Sequence, residues 1–219
     1  INSHYVIMAT KKGQVVKTSL EKYSRPRANG INAINIKDDD ELLEAKLTTG
    51  NSQIMLAVKS GKAIRFEEDK TRPLGRGASG VRGIKLKNQF DEVIGMVSVS
   101  DVNSDILVVS ENGFGKRSSL DDYRITNRGG KGVKTISITE KTGNLVALKN
   151  VSDDDDLMII KKSGVAIRMS VSDLRVMGRA TQGVKLVKIK EEGAIAAVAK
   201  VMKDQDEDDK INQEETKEE

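Results

Sequence analysis

Residues 53–99 spell four short runs of mostly apolar positions, QIMLAVK, KAIRFEE, VRGIKLK and DEVIGMVSV, separated by polar or glycine-containing turns. None keeps a helical period over the length of a helix. Their shortness and β-branched content predict strands. The KSGK turn joins the first two as a hairpin. A long glycine-rich basic loop then leads to the third run, and a turn with acids leads to the fourth.

The same pattern recurs along the whole chain, and fixed-period self-similarity is the signature of repeat architectures. ATKKGQVVKTSL, AVKSGKAIRFEE, VSENGFGKRSSL and IKKSGVAIRMSV each place an apolar run, a turn ending in glycine, and a second run with a cation four residues later. The glycines are Gly13, Gly61, Gly113 and Gly164, and the cations are Lys17, Arg65, Arg117 and Arg168. A second element follows each: ANGINAINI, ASGVRGIKL, GKGVKTISI and TQGVKLVKI. Its glycines, Gly30, Gly80, Gly132 and Gly183, recur at intervals of 50, 52 and 51 residues. Four strands every 50 or so residues predict an all-β, propeller-like fold of four four-stranded blades. Such blades bury their faces only against their neighbours, so equivalent loops fall along one rim. The approximate repeats are 4–50, 51–102, 103–153 and 154–203, forming a single domain followed by an acidic tail at 204–219.

The loop before each second-element glycine carries the candidate chemistry. In the third copy it reads TNRGGKG, with Thr126, Asn127, Arg128, Gly129, Gly130, Lys131 and Gly132. Its counterparts are RPRANG, with Arg25 and Arg27, PLGRGASG with Arg76, and VMGRATQG with Arg179. Three copies add a cation two residues after the glycine, Arg82, Lys134 and Lys185, where the first has Asn32. Glycines let backbone approach a ligand closely and cations supply charge, so one such loop is either a basic surface turn or an anion site. Four at equivalent positions would form an arc of positive charge. The candidate contact set for an anionic partner is therefore these loop and strand cations together with Arg65, Arg117 and Arg168.

Charge supports a polyanionic partner. The chain carries +4 overall, but 204–219 holds nine acids and two lysines, which leaves +11 on the first 203 residues. The tail is either a solvating end or a competitor for the basic surface. Aromatic residues make up only 3% of the chain, which argues against stacking single-stranded bases and against a large apolar ligand pocket. With no cysteine, disulfides and thiolate metal sites are excluded, and the one histidine, His4, cannot by itself make a zinc site or a serine-type triad. No apolar stretch reaches the roughly 20 residues of a membrane helix, and the start is unlike a signal peptide. A cytoplasmic protein without membrane partners is expected.

Other signals carry less. GRGASG at 75–80 matches the dinucleotide pattern but leads into a strand rather than a helix. The DDDD run at 153–156 lacks calcium-loop spacing and is read as a solvated turn. Met55, Met96, Met158 and Met169 lie in strand runs and are read as core filler. A propeller used for protein–protein interaction would explain the blades but not the matched cations, and a propeller enzyme has no candidate site here.

The turn glycine, second-strand cation and G-V/I strand resemble the C-terminal domain of the DNA gyrase A subunit, with NGFGKRSSLDDYR and SGVAIRMSVSDLRVMGRATQGVKL especially similar to it. The resemblance covers residues 4–202. It implies a β-pinwheel whose blades exchange strands and wrap double-stranded DNA around a basic rim to support ATP-dependent negative supercoiling. The cations named above would then be the DNA-binding residues. The family's box, Q-R-R-G-G-K/R-G, is matched at Arg128, Gly129, Gly130, Lys131 and Gly132 and departed from at Thr126 and Asn127. The family normally has six blades, which implies two more, with the full box, before Ile1. Topoisomerase IV has a related, more degenerate domain. The resemblance further implies no catalysis and no cofactor in this chain. The catalytic tyrosine is expected in another domain, since Tyr5, Tyr23 and Tyr123 lie in strand or turn contexts without an acid cluster. The implied partners are the rest of the gyrase A protein and the gyrase B protein, in an A2B2 holoenzyme that uses ATP and magnesium. The implied location is the bacterial nucleoid.

Overall fold

A computed structural model describes residues 3–188 and 193–202. The predicted first and second runs form antiparallel hairpins: β1 (Tyr5–Thr10) with β2 (Gln14–Ser19), β4 (Gln53–Val58) with β5 (Lys62–Glu67), β8 (Asp105–Ser110) with β9 (Phe114–Ser119), and β12 (Asp155–Lys161) with β13 (Ala166–Ser170). The last runs are β3 (Leu42–Thr48), β7 (Val93–Val99), β11 (Leu145–Val151) and β15 (Ile195–Met202), each paired to the first strand of its own repeat. They also pack beside one another from sheet to sheet. The predicted third runs shrink to two-residue strands, β6 (Val81–Arg82), β10 (Val133–Lys134) and β14 (Val184–Lys185).

These short strands do not join their own repeats. The strand orders are β3-β1-β2-β6, β10-β5-β4-β7 and β11-β8-β9-β14, so each sheet takes its outer strand from the following repeat. Val81 faces Val15, Val133 faces Ala63, and Val184 faces Gly115. The fourth sheet has three described strands, β13-β12-β15, and no described strand covers the outer edge of β13. In the first repeat, 31–36 forms no strand. The expected four-stranded blade thus holds for three sheets. The offset of one repeat leaves the fourth sheet without an outer strand among the described residues.

The apolar runs are nearly continuous because the hairpin strands are covered on both faces. Ile54 and Leu56 of β4 enter a core with Ile7, Ala9 and Val15 of the first sheet. Met55 and Ala57, between them, enter a second core with Ile106 and Val108 of the third. Leu107 and Val109 of β8 enter a third with Leu157 and Ile159. Successive side chains point to opposite faces of a strand, so one strand serves two cores. The methionines follow: Met55 and Met96 are fully buried, and Met158 and Met169 partly so.

Candidate nucleic-acid interface

The basic loops of the second, third and fourth repeats sit at outer sheet edges because each leads directly into an outer strand. Before the loop, each repeat makes a short 3-10 turn: Leu20–Tyr23, Glu68–Lys70, Leu120–Asp122 and Val171–Asp173. The chain then crosses to the preceding blade. Backbone N–H groups of Leu74, Thr126 and Met177 donate to the carbonyls of Lys17, Arg65 and Arg117 at 2.7, 2.9 and 2.8 Å. At Gly132 the crossing leaves no room for a side chain. Its φ is +70°, and a Cβ would lie 2.5 Å from the Ala63 carbonyl oxygen. Only glycine meets both demands without strain.

The loop arginines couple one loop to the next. Arg128 donates from Nε to the Lys70 carbonyl at 2.9 Å and from Nη1 to the Arg82 carbonyl at 3.1 Å. One repeat later, Arg179 does the same to the carbonyls of Asp122 and Lys134, both at 2.8 Å. Arg76 donates to the Asn32 carbonyl at 3.1 Å. These half-buried arginines therefore tie each loop to the residue two after the glycine of the loop before it, in an outer strand at Arg82 and Lys134. Arg25, Arg27, Arg82, Lys131, Lys134 and Lys185 are exposed. The result is a series of linked loops that carries cations from blade to blade.

Two concave sites lie along this series. One, of about 450 Å³, is lined by Lys62, Arg65, Arg124, Asn127, Lys131 and Gly132 among others. The second, of about 500 Å³, has Arg27 and Arg76 with Asn29 and Asn32. Arg124 belongs to a set that sequence reasoning missed. Arg72, Arg124 and Arg175 are all exposed and stand eight residues before the loop glycines Gly80, Gly132 and Gly183. Their matching phase was the available signal.

Arg65, at the floor of the first of these sites, and Arg117 were placed on the rim by the sequence pattern but are not freely displayed there. Both are buried, at 7% and 8% exposure. Arg65 donates to Gln53 Oε1 at 2.8 Å and, from Nη1, to the carbonyls of Leu120 and Tyr123 in the next repeat at 2.8 and 2.9 Å. Arg117 contacts Asp105 and Asp153, both at 2.5 Å, and reaches the Val171 carbonyl at 3.4 Å. Lys17 pairs with Glu68 at 2.9 Å, and that carboxylate also accepts from Thr48 Oγ1 and the Ser52 N–H. A cation four residues after the turn glycine lies within the second strand and faces the next blade's 3-10 turn. It staples blade to blade. Burial lowers the Arg65 pKa against the opposing pull of Asp121 and Glu67. Burial also pulls Arg117 down, but its bonds to Asp153 and Asp105 prevail and leave it raised. Arg168, in the last blade, is exposed and bonds Asp156 at 2.7 Å.

GRGASG leads into β6, a strand, so the helix that a dinucleotide site needs is absent there. The 153–156 acids are only partly a solvated turn. Asp155 and Asp156 lie in β12 and are buried, with Asp155 accepting from the Ser152 N–H at 2.8 Å.

A family model described as the DNA gyrase C-terminal domain, beta-propeller, matches residues 4–49, 53–100, 104–152 and 155–202, one segment per repeat. The chain belongs to the DNA gyrase C-terminal domain family. The DNA gyrase A subunit of Staphylococcus epidermidis is 46% identical over 203 residues, which cover 92% of this chain and 23% of that protein. Its Staphylococcus aureus counterpart is 44% identical over 212 residues, covering 96% and 24%. The chain therefore spans about a quarter of the length of these relatives. Among solved structures, the C-terminal domain of DNA topoisomerase IV superposes with a TM-score of 0.86 at 24% identity, covering 91% of this chain and 62% of that one. The DNA gyrase A C-terminal domain gives 0.82 at 24% identity, covering 92% and 67%. Both establish the fold: the strand-exchanged, all-β architecture of this family's propeller. Among the described residues, no helix is long and apolar enough to cross a membrane.

Proposed function

We propose that this chain binds double-stranded DNA along its outer loops and bends it, as the wrapping part of a gyrase A protein. The observation that carries the reading is the linked series of loops, with Arg82 touched by Arg128 and Lys134 touched by Arg179. Cations at equivalent positions of successive blades suit the repeated charge of a phosphate backbone. Neutralising phosphates releases counterions, so binding is salt-dependent and blind to sequence. Bending a 20–30 base-pair segment by 40–90° costs about 1–6 kcal/mol, which distributed phosphate contacts offset. The gyrase assignment over topoisomerase IV is supported by the names of the relatives at 44–46% identity.

In this reading the chain is not itself an enzyme and holds no cofactor. The rest of the gyrase A protein and the gyrase B protein supply DNA cleavage and ATP- and magnesium-dependent strand passage in an A2B2 assembly on the chromosome in the cytoplasm. The test uses relaxed circular DNA with a nicking–closing topoisomerase and rising protein. A stoichiometric linking-number change of one sign is expected. Binding without that change would remove wrapping by this chain, and no binding at low salt would favour a protein-interaction surface instead.

A further inference from the structure

Three residues after the turn glycine, three repeats carry an apolar side chain: Val16, Ile64 and Ile167. This position lies beneath the incoming basic loop where one crosses it. A Cβ on Gly80 would meet Val16 Cγ2 at 2.7 Å, and one on Gly130 would meet Ile64 Cδ1 at 3.5 Å. The third repeat has Lys116 instead, and it is 1% exposed. Its ammonium donates to the carbonyls of Gly178 at 3.0 Å, Thr181 at 2.8 Å and Arg179, and to Thr181 Oγ1 at 3.2 Å. All four acceptors belong to the loop 176–183. No carboxylate bonds this ammonium among the described residues.

That loop, like the first two, lacks the glycine-glycine-lysine run of the third. Where the third copy has Gly129, Gly130 and Lys131, the fourth has Ala180, Thr181 and Gln182. The fourth loop thus lacks the exposed lysine and two of the glycines. It has instead a cation underneath that gathers its carbonyl oxygens inward, so their negative ends face the ammonium. We propose that Lys116 is a positioning residue for DNA binding, whose buried ammonium holds loop 176–183 in its binding shape. The role rests on the DNA reading above.

The charged groups around the ammonium make the device testable by pH. Burial pushes the Lys116 pKa down to about 8, with Asp122 opposing and Arg179 adding to the fall. Asp122 accepts from the Arg179 N–H at 3.2 Å, and Tyr123, the next residue, is itself buried and raised. The ammonium is therefore charged at pH 7 and neutral once pH has risen through about 8. Its bonds are charge-assisted, but desolvation outweighs them and favours the neutral amine in the closed loop. The folded value lies below the ordinary 10.5, so between these values the whole fold gains stability from this group as pH rises. Opening the loop would hydrate the amine and return it toward that ordinary value, so the same linkage closes the loop more firmly as pH rises through about 8.

The experiment measures amide hydrogen exchange of 176–183 against 124–132 of the same chain, with duplex-DNA affinity, in the wild type, Lys116→Met and Lys116→Ile. Protection of 176–183 relative to the reference loop is expected to fall about tenfold in the variants, the order expected for lost charge-assisted bonds. DNA affinity at moderate salt should fall as the cations carried by the loop and its outer strand lose their placement. Between pH 7 and 9 the wild type should gain relative protection, and Lys116→Met should show no such change. Unchanged exchange in the variants, or a pH profile shared by wild type and variant, overturns the clamp. Failure of the wild type to bind duplex at low salt overturns the DNA reading and this role with it. If the variants do not fold, the wild-type comparison at pH 7 and 9 decides alone, and a constant ratio of the two loops refutes the proposal.

Discussion

Lys17 occupies in the first repeat the position of Arg65 and Arg117, and Lys17→Met separates blade stapling from DNA contact. Its ammonium lies 2.9 Å from Glu68 Oε1, with side-chain exposures of 5% and 0%, and 4.3 Å from the centre of the Tyr5 ring. Methionine keeps the length and apolar stem. It leaves the Glu68 carboxylate buried with only the Thr48 hydroxyl at 2.6 Å and the Ser52 N–H at 3.1 Å. Breaking a buried pair by removing one partner costs about 3–5 kcal/mol, mostly the penalty of the stranded charge. For a chain of this size, 1 kcal/mol moves Tm by about 2–4 °C, so a fall of roughly 6–20 °C is expected. Adding Glu68→Gln removes the charge and retains an acceptor for Thr48, so much of the loss should return. The assay is thermal and urea unfolding followed by circular dichroism, with duplex affinity measured at a temperature where each variant is folded. Affinity should stay within about twofold, since a buried group neutralises no phosphate. A Lys17→Met protein that unfolds like wild type but loses DNA affinity as an exposed-cation variant does would refute the staple, and with it the reassignment of Arg65 and Arg117.

Neutralising exposed cations should act the opposite way. Lys134→Gln and Arg124→Gln should each leave stability within about 0.5 kcal/mol and flatten the log-affinity against log-salt slope by about 1, read by fluorescence anisotropy from 50 to 200 mM salt. Gly132→Ala, at φ +70° and with its Cβ 2.5 Å from the Ala63 carbonyl oxygen, should cost more than the roughly 1–2 kcal/mol of a left-handed alanine and raise amide exchange in 126–134. Deleting 204–219, which lies outside the described residues, removes a charge of −7 and should tighten duplex binding at low salt; unchanged affinity would leave that segment a solvating end.

The periodicity of turn glycines and apolar runs was enough to read four strands per repeat and basic loops at matched positions, because hairpins and turns are set by residues near in sequence. Local pattern also carried Arg72, Arg124 and Arg175, which share one phase but stand outside the glycine-flanking segments that define the loops. Which strand completes which sheet was not legible. Val133 looks alike whether it pairs within its own repeat or with Ala63 of the one before, since the hydrogen bonds that decide it join residues about 70 apart. The roles of the cations were hidden for the same reason. Arg65 and Arg82 are both arginines near a repeated glycine, yet one is 7% exposed against the next blade's 3-10 turn and the other faces solvent. Lys116 reads as one more basic residue in a basic protein until a loop more than 60 positions away closes over it. The sequence by itself determined the repeat, the strands and the places where charge accumulates. Only the tertiary structure decided which charges bind blades together and which remain free for a ligand, because desolvation and pairing depend on what the next repeat brings alongside.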